Sequence, residues 1–184
     1  MKKLLFMYVF LFSVMVFSQE NDKKHYEYQN VFVDLKGFTS SDEGLEQFNI
    51  AYKKVSPFSS NGKLHENLAH GLEFGMNVFP ISDIINLRLA YVFGYEFQVD
   101  NQFSIFPNVK PYVGVSLYET KTFDSQGFEE SAEMKADFNL DALIGFEARY
   151  FISKSKKYGV SAELLTSFNG GFGFNLGFIW RTEI

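Results

Sequence analysis

The last fifteen residues, "GGFGFNLGFIWRTEI" (Gly170 to Ile184), place Phe172, Phe174, Leu176, Phe178 and Trp180 on every second position. Gly171, Gly173, Asn175, Gly177, Ile179 and Arg181 fill the places between them. Successive side chains of a strand point to opposite faces. The stretch therefore reads as a strand with one aromatic face and one face of glycine and polar groups. The same two-residue period runs from about residue 28 onward. It predicts eight strands, over roughly 29–38, 47–55, 68–79, 85–98, 107–119, 136–151, 158–168 and 171–182. Several exceed the five or six residues usual in a soluble sheet, and a tilted strand of about 9–11 residues crosses a bilayer.

One face is apolar throughout. Its aromatic members include Phe74, Tyr91, Phe93, Phe146, Phe174, Phe178 and Trp180, with Val31, Leu72, Leu89, Val113 and Leu164 among the aliphatic ones. The other face carries the acids Asp34, Glu73, Glu96, Asp141, Glu147 and Glu163 and the bases Lys36, Lys53, Arg88, Lys110, Arg149 and Arg181. Acids and bases are matched there, although the whole chain has a formal charge of −5. Gly71, Gly75, Gly94, Gly114, Gly145, Gly159, Gly171, Gly173 and Gly177 share that face. A solvated face gains nothing from glycine, which weakens a strand and packs nothing. A tightly closed sheet needs the room. A water-poor interior also requires balanced charge, because an unpaired buried ion costs several kcal/mol.

These features point to an all-β fold, an eight-stranded antiparallel up-and-down transmembrane β-barrel. Its apolar face meets lipid and its polar face fills a narrow lumen. Alternation alone also fits a soluble β-sandwich or lipocalin-like barrel with the aromatic face inside. Strand length, the glycine-rich, charge-matched face and an aromatic content of 18% favour the membrane barrel.

Lys2 and Lys3 precede an uncharged apolar run from Leu4 to Phe17, with Val16 and Ser18 at the positions where small residues precede cleavage. Residues 1–18 read as a secretory signal peptide and 19–184 as a single β-barrel domain. No later stretch has the length of an apolar membrane helix. The chain holds no cysteine, which excludes disulfides, a thiol nucleophile, Cys-ligated metal and lipoprotein attachment. The acidic balance, pI about 5.2, argues against nucleic acid, which needs a basic surface.

Little in the sequence points to catalysis. Of His25, His65 and His70, only His70 falls on the apolar face, at the start of the third strand. A hydrolase of membrane lipid would need a serine within hydrogen-bond reach of it, and no serine falls inside an expected strand on that face. The residues Asp124, Glu129, Glu130 and Glu133 lack the spacing of a calcium loop. The glycines all belong to strand periods or turns, so there is no phosphate loop. Catalytic, cofactor-binding and metal-binding residues are all expected to be none. Glu73, Arg88, Glu96, Lys110, Glu147, Arg149 and Glu163 are expected to form a structural cluster in the lumen.

"KPYVGVSLYE" (Lys110 to Glu119), "GFEARYFISKSKKYGVSAEL" (Gly145 to Leu164) and "NLGFIWRT" (Asn175 to Thr182) carry a family likeness. The first resembles the PYVG-type strand opening of small outer-membrane β-barrels, the OmpA/OmpX-like group. The middle segment is similar to their strand, short turn, strand unit. The last resembles their C-terminal assembly signal, which usually ends on Phe, whereas this chain ends on Ile184. The resemblance implies a non-enzymatic outer-membrane protein with an envelope-structural or loop-mediated interaction role. It implies membrane lipid, the outer-membrane assembly machinery and a protein partner at the loops. The alternatives are a soluble periplasmic barrel or sandwich that binds an apolar ligand or a protein, and, more remotely, a membrane-embedded lipid hydrolase. Residues 120–135 are the expected long external loop, and 98–107 is the stretch with least strand character. "FPISDI" (Phe79 to Ile84) and "FISKSKK" (Phe151 to Lys157) both read as short periplasmic turns, yet three strands separate them. That spacing puts them at opposite ends of an up-and-down barrel.

Overall fold

Alternating aromatic and β-branched residues pack well on a pleated surface, and no helical period runs through the sequence from about residue 28 onward to compete with them. In the computed structural model the described residues are 26–34, 48–60, 63–79, 84–100, 102–123, 129–152, 157–167 and 172–184. They form β1 (Tyr26–Asp34), β2 (Phe48–Ser60), β3 (Lys63–Phe79), β4 (Ile84–Tyr95), β5 (Phe97–Gln98), β6 (Phe103–Phe123), β7 (Glu129–Phe151), β8 (Tyr158–Ser167) and β9 (Phe172–Glu183). The segment 1–18 lies outside them.

Every pairing is antiparallel, and all join neighbours in sequence except β4 with β6 and the seam that closes the sheet. There β1 meets β9, from Tyr26 opposite Glu183 to Asp34 opposite Asn175. β4 and β5 lie end to end along β6 in one register, with breaks at Tyr91 and Val92 and again at Tyr95 and Glu96. They act as one barrel strand, so the ring has eight. The architecture is an all-β, eight-stranded, up-and-down antiparallel barrel, and closure leaves no free sheet edge within the ring.

The barrel is polar inside and apolar outside. In β9, Asn175, Ile179 and Arg181 are buried while Phe174, Leu176 and Phe178 are exposed. Glycines make room for interior side chains at specific cross-strand positions. Gly145 faces Asn108 across the β6–β7 ladder, and a Cβ on Gly145 would collide with the Asn108 carboxamide. Gly71 is tighter still, since a Cβ there would run into the backbone carbonyl of Lys54.

β2, β3, β6 and β7 are longer than the sequence suggested. The stretch 56–67, expected to be a loop, is mostly strand: β2 runs on to Ser60 and β3 starts at Lys63. A register shift between Pro57 and Ser59 absorbs the proline, which cannot donate to a ladder. His65, expected in a loop, therefore falls in β3. The expected external loop 120–135 is a hairpin in which Thr120 pairs with Glu133 and Lys121 with Ala132. Its ladder hydrogen bonds join the two arms without a barrel neighbour, and only 124–128 lie outside the described residues. The weak stretch 98–107 turns at Asp100, whose Oδ1 accepts from the amides of Gln102 (2.6 Å) and Phe103 (2.7 Å). β6 starts directly afterwards. β1, expected over 29–38, already begins at Tyr26, and 35–38 lie outside the described residues. Connections alternate ends in an up-and-down ring, so the β3–β4 and β7–β8 connections belong to opposite ends and only one of them can be periplasmic.

Gly71→Ala is expected to destabilise the barrel by roughly 1–3 kcal/mol, because backbone must move to admit the Cβ. Gly75→Ala should cost less, since its nearest obstacle is the flexible Arg88 guanidinium at 3.3 Å. Urea unfolding in lipid vesicles, followed by the fluorescence of the single tryptophan, Trp180, measures both.

Candidate functional site: the lumen and the β6–β7 hairpin

Strand parity sends one acid or base from nearly every strand into the barrel, where they meet as a single chain of ion pairs. Arg88 Nη2 on β4 reaches Glu73 Oε1 on β3 at 2.9 Å. The other Glu73 oxygen takes Lys110 Nζ on β6 at 2.5 Å. Lys110 also reaches the Glu163 carboxylate on β8 at 2.8 Å. Glu163 Oε1 lies 3.2 Å from Lys53 Nζ on β2. Lys53 then reaches Glu147 Oε2 on β7 at 2.7 Å. Arg149 Nη2 meets that same oxygen at 2.9 Å, and its Nη1 reaches Glu96 Oε1 at 3.3 Å. Positive and negative groups alternate along the whole series, and its formal charges cancel.

Lys53, Glu73, Lys110, Glu147, Arg149 and Glu163 are fully buried, and Arg88 and Glu96 close the series nearer the two mouths. Carboxamides fill the remaining acceptor positions. Asn30 Nδ2 donates to Glu147 at 2.8 Å, and Asn108 Nδ2 donates to Glu163 at 3.3 Å. Interior rings cover the cations: Phe32 lies 4.4 Å from Lys53 Nζ, and Tyr28 and Phe106 flank the Arg149 guanidinium at 4.4 and 4.3 Å. Buried ions of this kind are tolerable only when paired and hydrogen-bonded on several sides.

Of the residues singled out in sequence for the lumen, the structure joins Glu73, Arg88, Glu96, Lys110, Glu147, Arg149 and Glu163 in this one series. Lys53, which links its two halves, shares their strand parity but was not placed in that cluster. Phe32 and Asn30 carry the same parity signal and were passed over. Arg181 is buried apart from the series, stacked on Tyr26 and Phe151. Lys36 lies outside the described residues.

Of those singled out for the outer face, Phe74, Tyr91, Phe93, Phe146, Phe174 and Phe178 are exposed on the exterior, and Trp180 is half-buried there. Trp180 stacks near Tyr52 (6.5 Å) and Phe178 (6.1 Å), and Phe178 near Tyr158 (6.1 Å).

The exterior also corrects one expectation. With β2 extended, Ser56 lies inside a strand, directly opposite His70. The serine hydroxyl, however, donates to Glu27 at 3.1 Å, and His70 Nδ1 is bonded to the Tyr91 hydroxyl at 2.9 Å. Those contacts align a polar row across β1 to β4 and aim Ser56 at a carboxylate, not at the imidazole a nucleophile needs. Among the described residues no cluster of His, Asp and Glu has metal-holding geometry.

The other feature stands above the ring. β7 pairs with β6 along its whole length, but with β8 only from Leu143 onward. Among the described residues nothing pairs with the other edge of β7 before Leu143. Residues 131–140 are exposed on both faces. Phe138 is 81% exposed, Leu140 83% and Met134 68%. On the opposite face Tyr118 donates to Asp137 Oδ2 at 2.9 Å, and that hydrogen bond raises the phenol above its ordinary pKa.

Neither a protein-family model nor a curated protein matches the sequence. Solved structures do match. The N-terminal β-barrel domain of Pseudomonas aeruginosa OprF aligns with 88% of this chain and 100% of its own, at 11% identity and a TM-score of 0.53. Neisserial surface protein A, NspA, aligns over 90% and 100%, at 11% identity and a TM-score of 0.51. At that identity the likeness is one of fold: this chain has the fold of the small eight-stranded outer-membrane barrels.

Replacing Glu163 with leucine leaves Lys53 and Lys110 sharing too little negative charge in a dry interior. The loss expected is about 3–5 kcal/mol. Lys54→Ala breaks only the exposed pair with Glu27 at 3.2 Å and should change stability by less than about 1 kcal/mol. Paired urea titrations of the two variants in vesicles compare them directly.

Proposed function

We propose that the protein is a non-enzymatic outer-membrane barrel that holds the β6–β7 hairpin outside the cell for contacts with other molecules. The observation that carries this reading is the inverted polarity. The interior is filled with paired ions, while Phe74, Leu89, Val113, Leu164, Phe174 and Phe178 lie bare on the outside. Soluble monomers rarely leave such a continuous apolar belt in water. A soluble carrier of an apolar ligand would need an apolar interior, and the charged series occupies it instead. Tyr52, Tyr158 and Trp180 suit the headgroup level of a bilayer, where aromatic girdles sit. In this reading residues 1–18 are a cleaved export signal, membrane lipid surrounds the barrel, and the assembly machinery receives β9.

Single cysteines test the reading without background, because the chain has none. Phe174 is 38% exposed and its neighbour Asn175 0%. A lipid-dissolved thiol probe should label Phe174→Cys in intact membranes and leave Asn175→Cys unmodified. Labelling of Phe174→Cys by a charged aqueous maleimide, with none from the lipid probe, would refute the membrane barrel.

The export signal has its own measurement. The intact mass of protein purified from envelopes should correspond to a chain starting at Gln19. Retention of Met1 to Ser18 would contradict it.

A further inference from the structure

Within the proposed role of the β6–β7 hairpin, the free edge of β7 is complementary to itself. An unpaired strand edge takes up another strand through its backbone, and alternating side chains select which one. Below Leu143 that edge is unclaimed among the described residues. Its side chains alternate strictly. Ala132, Met134, Ala136, Phe138 and Leu140 lie on the outward face, and Glu133, Lys135, Asp137, Asn139 and Asp141 on the other.

Consider two copies of this edge side by side and antiparallel, related by a two-fold axis. A two-fold centred on Lys135 sets Lys135 against itself and Glu133 against Asp137. One centred on Asp137 sets Asp137 against itself and Glu133 against Asp141. Like charges directly opposite one another are destabilising. A two-fold centred on Ala136, near the middle of the free stretch, places Lys135 opposite Asp137 twice. It also sets Met134 against Phe138 twice, with small Ala136 at the axis. Charge and bulk both match in that register alone of the three.

We infer that the occupant of this edge is a second copy of the chain, paired antiparallel about Ala136. The geometry also says where that copy stands. The two-fold lies normal to the local sheet, and the barrel axis runs within that sheet. Rotation by half a turn therefore reverses the barrel axis. The two barrels point away from each other, as they do when anchored in two facing membranes. The contact is isologous and closes on itself, so it joins copies in pairs and not in open chains.

The test uses the full-length barrel inserted in phosphatidylcholine vesicles, with clustering read by light scattering and by energy transfer between two lipid dyes. Wild-type vesicles should cluster. Lys135→Asp sets two carboxylates against each other, and Asp137→Lys sets two ammonium groups against each other. Each variant alone should lower the association constant by about tenfold or more, since two attractive pairs become repulsive. Vesicles of the two variants mixed together should cluster again. The aspartate introduced at position 135 of one copy then faces the native Asp137 partner's replacement, a lysine, across the contact. Clustering of either variant at the wild-type rate overturns the register. Absence of clustering by the wild type overturns the second copy as occupant and leaves the edge to a strand of another protein. The two positions lie on the exposed hairpin outside the ring, and a heat-modifiable gel shift confirms that each variant is folded. Labelling of Phe174→Cys by the lipid probe is independent of the hairpin, so failure of self-pairing and failure of the membrane barrel give different results.

Discussion

A lysine or glutamate held away from water costs several kcal/mol unless an opposite charge and further hydrogen bonds meet it. The interior of this barrel holds six such groups completely buried in one network, and the alternating series from Arg88 to Glu96 is what makes them tolerable. Its central links cross the lumen between strands that are not neighbours. Lys110 on β6 bridges β3 and β8, and Lys53 on β2 bridges β8 and β7. Those bridges exist only once the sheet has closed, because they span its inside. Closure and charge pairing are therefore one event.

The rest of the molecule follows from that interior. A barrel core occupied by paired ions has room for only a few rings, such as Tyr28, Phe32, Phe106 and Phe151, which lie against its cations. The apolar face is left to the outside, where it is stable only against another apolar medium. Glycine on the inner face has the same origin. Asn108 can lie across its strand neighbour and still donate to Glu163 because position 145 has no side chain. Paired side chains occupy the lumen along this series.

The hairpin is the exception to the inside–outside rule. Above the ring, β7 has lost β8 and both of its faces are in water. Its alternation persists although no core demands it, with Met134, Phe138 and Leu140 on one side and Glu133, Lys135 and Asp137 on the other. A sequence that keeps a strand pattern without a barrel wall beside it retains an edge able to pair. The polar row of Glu27, Ser56, His70 and Tyr91 on the exterior is a smaller exception, and its hydrogen bonds run from strand to strand within the outer surface.

Strand parity was legible in the chain itself, because the period of two is a property of the backbone and holds in any sheet. That is why the lumen and exterior residues could be sorted from sequence and why the count of eight was available. Strand ends were not legible in the same way. The stretch 56–67 contains Pro57, which cannot donate to a ladder. It also contains Asn61 and Gly62, a dipeptide that favours a tight hairpin, and Ser60 indeed pairs directly with Lys63. The hairpin at 120–135 was hidden by its charge, since polar residues on a strand standing in water resemble those of a loop. What only the tertiary structure decided was partnership. Sequence places Lys53, Glu147 and Glu163 on one face, but register across the closed barrel brings them within 2.7 to 3.2 Å. The same register leaves β7 without β8 below Leu143. Contacts across a lumen depend on how far each strand is staggered against the next, a quantity summed around the whole ring and written in no single segment of the chain.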